Sequence, residues 1–276
     1  SHPFSSHLVG RLVKKKFPKI KWVLDMGDPF CFLTQTPPNN FLLYGRLNKS
    51  IERNCFKESD GIVVTNPETK SEYLKLFPES VDKIKVIPPL LGARVSSFIK
   101  DNQNKKLRNT NIIKLVFIGT LYSKIRNPNN LIKLLEMVSQ NINKRIEMHF
   151  VGSVNDIKIS SIFSSKILIY FHGHVNHRNA LKYMMDADIL VNIGNSTKFQ
   201  LPSKLVEYVS TGKPILNISS IENDSSSVFL IPYRLSKTIY INNNLTNSMI
   251  KELTKYFNKI FLFNAKNDES WLKKHE

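Results

Sequence analysis

The residues best suited to chemistry lie in Phe199-Gln-Leu-Pro-Ser-Lys-Leu-Val-Glu-Tyr-Val-Ser-Thr-Gly-Lys-Pro-Ile-Leu216. Pro202 suits the first turn of a helix, where its missing N–H costs nothing, and Gly212 before Lys213-Pro214 supplies a stop. A helix of about ten residues is expected. Its first turn would leave the N–H groups of Ser203, Lys204 and Leu205 without intrahelical partners, aimed with the helix dipole at an anion. Lys204 adds a full positive charge. Glu207 follows Ser203 by four residues and Lys204 by three, so the three side chains share one side of the helix. A carboxylate at that distance from a bound diphosphate can accept two hydroxyl hydrogen bonds from a ribose.

A second candidate is the loop Gly119-Thr-Leu-Tyr-Ser-Lys-Ile-Arg-Asn-Pro128. Arg126 precedes a helix start at Asn127-Pro128, which brings its guanidinium to the same region as a diphosphate. Breaking a bond to a diphosphate leaves negative charge on the departing oxygen, and fixed cations stabilise that charge without a metal. The alternative is that Lys124 and Arg126 are solvated loop residues.

These loops need a sheet to hold them. From Ile113 onward, short apolar runs alternate with helical patterns: Ile113 to Gly119, Ile146 to Gly152, Ile167 to Gly173, Ile189 to Gly194 and Pro214 to Ile218, separated by segments such as Asn130 to Val138 and Ala180 to Met185. This is the pattern of a parallel sheet covered on both faces, so an α/β, doubly wound domain with its ligand at the strand carboxyl ends is expected. Gly119, Gly152, Gly173 and Gly194 fall at those ends. Glycines also end strands in α/β proteins without any ligand.

At this point the segment resembles the donor-site helix of GT-B glycosyltransferases, in the retaining family 4 group. Glu207 matches the second of that group's two glutamates, and Gly212-Lys213-Pro214-Ile215 matches its strand entry. Phe199, with Gln200 beside it, stands where the first glutamate belongs. A subgroup carrying Pro-Ser-Lys-Leu-(Phe/Val)-Glu-Tyr is more similar. The resemblance implies two Rossmann-like domains and a nucleotide-diphosphate sugar donor bordered by Gly119, Thr120, His174, Pro202, Ser203, Lys204 and Glu207, with His174 toward the base. It implies that Arg126, in a matching Arg-Asn-Pro, neutralises the leaving diphosphate. Thr120 stands where that family often has a second arginine, and Lys204 is the candidate to replace it. Retention of configuration by a front-face mechanism, with no metal and no cofactor beyond the donor, is also implied.

Residues 1–91 read as further β/α units, with Ile20 to Asp25, Gly61 to Thr65 and Ile84 to Pro88 strand-like and Leu8 to Lys16 and Glu68 to Phe77 helical. Lys21-Trp-Val-Leu-Asp-Met-Gly-Asp-Pro-Phe30 resembles a Trp-X-X-Asp-X-(Arg/Gly)-Asp-Pro-Trp motif of the same subgroup. It delivers Asp25 and Asp28 to a strand end, where either can position an acceptor hydroxyl or take its proton; Asp28 is preferred, and a simple turn role is the alternative. Asn66 in Thr65-Asn66-Pro67-Glu68 reads as a helix cap. A full acceptor domain would need on the order of 100 further residues upstream, and with no initial methionine a fragment is expected. Residues 92–111 are polar and read as an interdomain linker, with 112–276 as the donor domain and terminal helix. Ser220 to Ser227 reads as a loop and Leu245 to Phe263 as an amphipathic helix.

The 276 residues, 41% hydrophobic, suffice for one or two cores, and the net charge of +18 favours acidic partners. Cys31 and Cys55 give no disulfide framework, and no membrane-spanning run or signal peptide is visible. A cytoplasmic enzyme is expected. Lys14, Lys15, Lys16 and Lys19 are candidates for peripheral contact with anionic lipid at the inner face of the plasma membrane, where lipid-linked glycan acceptors reside; the alternative is a solvated helix face. Scattered basic residues without a recognition motif argue against nucleic acid. His172-X-His174-X-X-His177 lacks the further fixed ligands of a zinc site. Two readings follow: a glycosyltransferase building a cell-surface polysaccharide, or a nucleotide-sugar-binding fragment that is catalytically incomplete.

Overall fold

The computed structural model describes residues 3–34, 37, 39–102, 111–123, 126–157, 164–195, 197–242 and 244–260. The chain divides into two units: Ser1–Pro89 with Thr197–Leu201, and Leu90–Ser196 with Pro202–Glu276.

The first unit runs α1 (Ser5–Lys16), β1 (Val23–Met26), α2 (Phe41–Glu58), β2 (Gly61–Val64), α3 (Pro67–Leu76) and β3 (Ile84–Val86). Its strands are parallel in the order β1-β2-β3. The alternating strand residues Leu24, Met26, Ile62 and Val64 pack with Phe56, Tyr73 and Phe77 in the core. Asn66 caps α3, its Oδ1 accepting the Thr69 N–H at 2.8 Å, as the Asn-Pro-Glu sequence predicts. The segment Thr197–Leu201 belongs to this unit because the Phe199 carbonyl accepts hydrogen bonds from Asn66 Nδ2 (3.1 Å) and Thr69 Oγ1 (2.9 Å), while its ring meets Phe32 edge-on.

Glu52 of α2 is fully buried in this core. Its carboxylate accepts the Cys31 N–H at 3.0 Å and the Tyr73 hydroxyl at 2.7 Å, which pins the loop following β1. Burial pushes the Glu52 carboxyl above the usual carboxylate range, against the opposing pull of those hydrogen bonds. The folded state therefore holds a proton in a pH window where the unfolded chain, with a carboxyl pKa of about 4.3, has released it. Stability is expected to fall as pH rises from that value through the folded-state pKa. Urea unfolding followed across pH should show this slope, and Glu52→Gln should flatten it; Glu52→Ala, which strands two buried donors, should cost about 2–5 kcal/mol.

The second unit begins with α4 (Ala93–Asn102), within the segment read as a linker. Val95, Phe98 and Ile99 share one side of this helix, Ile99 is buried, and the helix packs on α6 and α7, defined below. The remaining polar stretch of that segment, 103–110, lies outside the described residues. Then follow β4 (Ile112–Ile118), β5 (Leu121–Tyr122), α5 (Asn129–Ser139), β6 (Arg145–Val151), β7 (Val154–Asn155), β8 (Ile167–Phe171), α6 (His177–Asp186), β9 (Ile189–Ile193), α7 (Lys204–Ser210), β10 (Ile215–Ser219), α8 (Ser225–Leu230), β11 (Ser236–Tyr240) and α9 (Asn247–Lys259). The six-stranded sheet is parallel in the order β11-β10-β9-β4-β6-β8, and β5 and β7 pair separately. Helices α5 and α9 cover one face, enclosing Leu115, Met148, Val191 and Leu216. The segment 220–227, read as a loop, instead enters α8: Asp224 caps it by accepting the Ser227 N–H at 2.9 Å, so three buried serines start a helix that their polarity conceals. Among the described residues no helix is long and apolar enough to cross a membrane.

Candidate functional site

Counted within the second unit, the strand order is 3-2-1-4-5-6, with the direction of winding reversing between β4 and β9. Such a reversal opens a crevice at the carboxyl ends of those two strands. Three glycines at the edge of this crevice pack backbone on backbone. Gly119 (φ +151°) donates its N–H to Val151 at 3.0 Å, and Gly152 (φ +141°) donates to Gly173 at 2.8 Å. A Cβ on Gly152 would lie 2.7 Å from the Gly119 carbonyl carbon and nearer still to its oxygen. Gly152 thus serves close approach to Gly119, beyond ending a strand. Thr120, half-buried, follows Gly119 directly.

Arg126 stands over this turn. Its Nε donates to Asn195 Oδ1 at 2.9 Å, and one terminal nitrogen would lie 3.8 Å from a Cβ built on Gly119. Asn195 is buried and follows β9, so the Arg126–Asn195 bond ties together the loops on the two sides of the reversal. Nothing in the local sequence marks Asn195 beyond its place after a strand-ending glycine. Lys124 lies outside the described residues.

The helix that carries Lys204 and Glu207 is shorter than expected, seven residues from Lys204 to Ser210. Pro202 is buried and Ser203 exposed, both before the helix, and the Leu205 N–H bonds to the Pro202 carbonyl at 3.1 Å. The expectation of three orphan N–H groups is corrected accordingly: this tight first turn engages that of Leu205. Gly212, at φ +69°, ends the helix as predicted. Tyr208 fixes α7 to the sheet, its hydroxyl accepting the Ile118 N–H at 2.8 Å from the last residue of β4. Burial holds that phenol strongly protonated, and the charges of both Glu207 and Arg126 act on it. Through the Tyr208–Ile118 bond α7, which carries Lys204 and Glu207, is held to the end of the strand that leads into the Gly119 turn.

Glu207 is held from two elements. Lys204 Nζ donates to its two oxygens at 2.8 and 3.0 Å, and His177 Nε2 lies 3.4 Å from each. The imidazole against Glu207 is thus that of His177, the first residue of α6, whereas His174 is exposed in the loop before it. The three histidines do not act as one set. His172 bonds to His149 at 2.8 Å and to the Tyr183 hydroxyl at 3.1 Å, and burial lowers the pKa of both imidazoles, with Lys114 adding to the effect. Among the described residues no three His, Cys, Asp or Glu side chains are grouped to hold a metal ion. Asp28 belongs to the first unit, half-buried two residues beyond β1, and Asp25 is exposed on that strand.

No protein-family model and no curated protein sequence matches the chain. Several solved structures do. WaaG, a glycosyltransferase involved in lipopolysaccharide biosynthesis, is 12% identical over 92% of this chain and 72% of its own, with a TM-score of 0.55. HepE of Anabaena, crystallised with UDP and glucose, is 11% identical over 98% of this chain and 71% of its own, at 0.57. Sucrose-phosphate synthase from Thermosynechococcus elongatus is 13% identical over 96% of this chain, which spans 63% of that enzyme, at 0.57. At such identities the likeness concerns fold, and the fold it assigns to this α/β chain is GT-B, the architecture of glycosyltransferases built on Rossmann-like domains.

Proposed function

We propose that the chain is a glycosyltransferase that moves a sugar from a nucleotide diphosphate to a glycan or lipid-linked glycan acceptor, with retention and without a metal, in cell-surface polysaccharide synthesis. The observation that carries this reading is that Arg126, bonded to Asn195 after β9, and the Lys204–Glu207 pair of α7, a helix tied to the end of β4 by Tyr208, both stand at the reversal point of the sheet. Arg126 and Lys204 supply the positive charge that a departing diphosphate requires, and Glu207 the acceptors for a ribose diol. Gly119 and Thr120 allow backbone to approach the phosphates. Pro202 and Ser203 lead into the helix, and His174 lies on the base side. Asp28 is the proposed acceptor-side carboxylate. Enzyme action is placed on the cytoplasmic side, with the basic surface of Lys14 to Lys19 toward anionic lipid. The HepE complex with UDP and glucose supports this class of donor.

A second reading, a nucleotide-sugar-binding protein without transfer activity, is favoured by Phe199. This residue carries no carboxylate, and its carbonyl is engaged by Asn66 and Thr69.

Thermal unfolding with UDP, GDP, ADP and CDP tests the donor site. One diphosphate should stabilise the chain selectively, by about 2.7 kcal/mol at a hundredfold excess over Kd, and Lys204→Ala and Glu207→Ala should abolish the effect. Stabilisation by none of them would remove the nucleotide-sugar reading and leave the fold assignment intact.

A further inference from the structure

The geometry points to His177 as a ligand-linked positioning residue: it holds Glu207 for the ribose hydroxyls once Lys204 turns to the diphosphate. This rests on the nucleotide-sugar reading of the site. Without ligand, Glu207 is committed to Lys204, which reaches both of its oxygens from one helical turn away. A carboxylate has about four lone-pair sites on its two oxygens, and a ribose diol needs two of them well aligned. A nucleoside diphosphate also brings negative charge to the crevice where Glu207, with a side chain only 16% exposed, already carries one. Like charges at such range disfavour binding unless a donor compensates.

Lys204 spends two of its three N–H donors on Glu207, so a short contact with a phosphate is expected to draw it off the carboxylate. It carries a compact ammonium on a flexible four-carbon stem, suited to a point-charge contact with phosphate. When it moves, Glu207 loses its ion pair. His177 is the group already in place, with Nε2 at 3.4 Å from both carboxylate oxygens, on a different element from Lys204. With the proton on Nε2, the imidazole donates to Glu207 from the side of α6, whose amino-terminal dipole adds to the same effect. The contact is long in the unliganded state and is expected to tighten when Lys204 leaves. His177 would thus act on sugar recognition through Glu207, so its removal should weaken binding of ribonucleotides more than of 2′-deoxyribonucleotides.

The test is titration calorimetry of the chain and of His177→Ala, His177→Gln and Glu207→Ala with UDP, ADP and GDP, each paired with its 2′-deoxy counterpart. For the diphosphate that binds, His177→Ala should weaken the ribonucleotide roughly 10-fold, leave the 2′-deoxy form little changed, and be partly rescued by His177→Gln, whose amide can donate. Because the His177 side chain is 51% exposed, the unliganded melting temperature should not move. Unchanged ribose preference in His177→Ala, or an equal loss for both sugars, would overturn the inference while the nucleotide site stood. Binding of none of the six, nor of CDP, by the unaltered chain would overturn both.

Discussion

In the Arg126→Ala protein, release of nucleoside diphosphate from the sugar donor is expected to be slower by roughly 10²–10³-fold, with a smaller change in KM. The loss follows from where charge develops. The ground-state diphosphate already carries negative charge, but cleavage of the glycosidic bond adds charge to the bridging oxygen, and a cation fixed beside that oxygen favours the transition state over the bound donor. Arg126 is fixed by its Nε bond to buried Asn195, across the reversal point of the sheet. Arg126→Lys should not restore the rate, since lysine lacks the planar fork that can bond Asn195 and face a phosphate together. Asn195→Ala should reproduce part of the loss by releasing the guanidinium. The measurement is steady-state nucleotide release with the donor that the unaltered chain accepts. Equal rates for Arg126→Ala and the unaltered chain would remove Arg126 from the reaction.

The segment that starts and ends α7 stands out in the sequence because the chemistry of its residues and their backbone requirements coincide. Pro202, Gly212 and the Lys204–Glu207 spacing each constrain a helix and each carry a group with a use, so one short segment speaks twice. Asn195 and His177 show the limit of that reasoning. Asn195 matters through a bond to a residue 69 positions away, and no local period reports such a pair. His177 was visible, but only as the last member of a histidine series; the structure separates the series by sending His172 to His149 and His177 to Glu207.

Strands β4, β6, β8, β9 and β10 of the second unit are legible in the sequence nearly to the residue, because buried parallel strands are continuous apolar runs. The first unit was harder for a physical reason. Helix α2 has eighteen residues, yet its buried positions are Asn48, Glu52, Cys55 and Phe56, while Leu42, Leu43 and Leu47 are exposed. The spacing is helical, but two of the four buried residues are polar and three leucines lie exposed, so a hydrophobicity pattern points the wrong way. Strand β11 was missed for a related reason. At the sheet edge, Ser236, Lys237 and Thr238 are only half-buried, which breaks the apolar run that marks its neighbours.

Gly152→Ala is expected to destabilise the second unit by about 3–5 kcal/mol, combining overpacking against backbone with a backbone conformation that side chains avoid. At Gly152 a methyl group would overlap the Gly119 carbonyl, an atom that cannot move by a rotamer change. Gly119 is itself held by the Val151 carbonyl, and Gly152 by Gly173, so relief requires shifting two loops at once. The φ of +141° adds strain whatever the space. Gly92→Ala is the control, because a Cβ there meets nothing within 4 Å. For a unit of this size, that loss corresponds to roughly 6–20 °C in melting temperature. Calorimetry of both variants checks it, with the first unit's transition expected to stay in place as an internal reference. Because Gly119 and Arg126 lie on the same turn, a partly folded Gly152→Ala protein should also lose nucleotide binding before it loses its secondary structure. A melting temperature within a degree or two of the unaltered chain would mean that the loops yield freely, and the close approach of Gly152 to Gly119 would then not be what fixes the Arg126 turn.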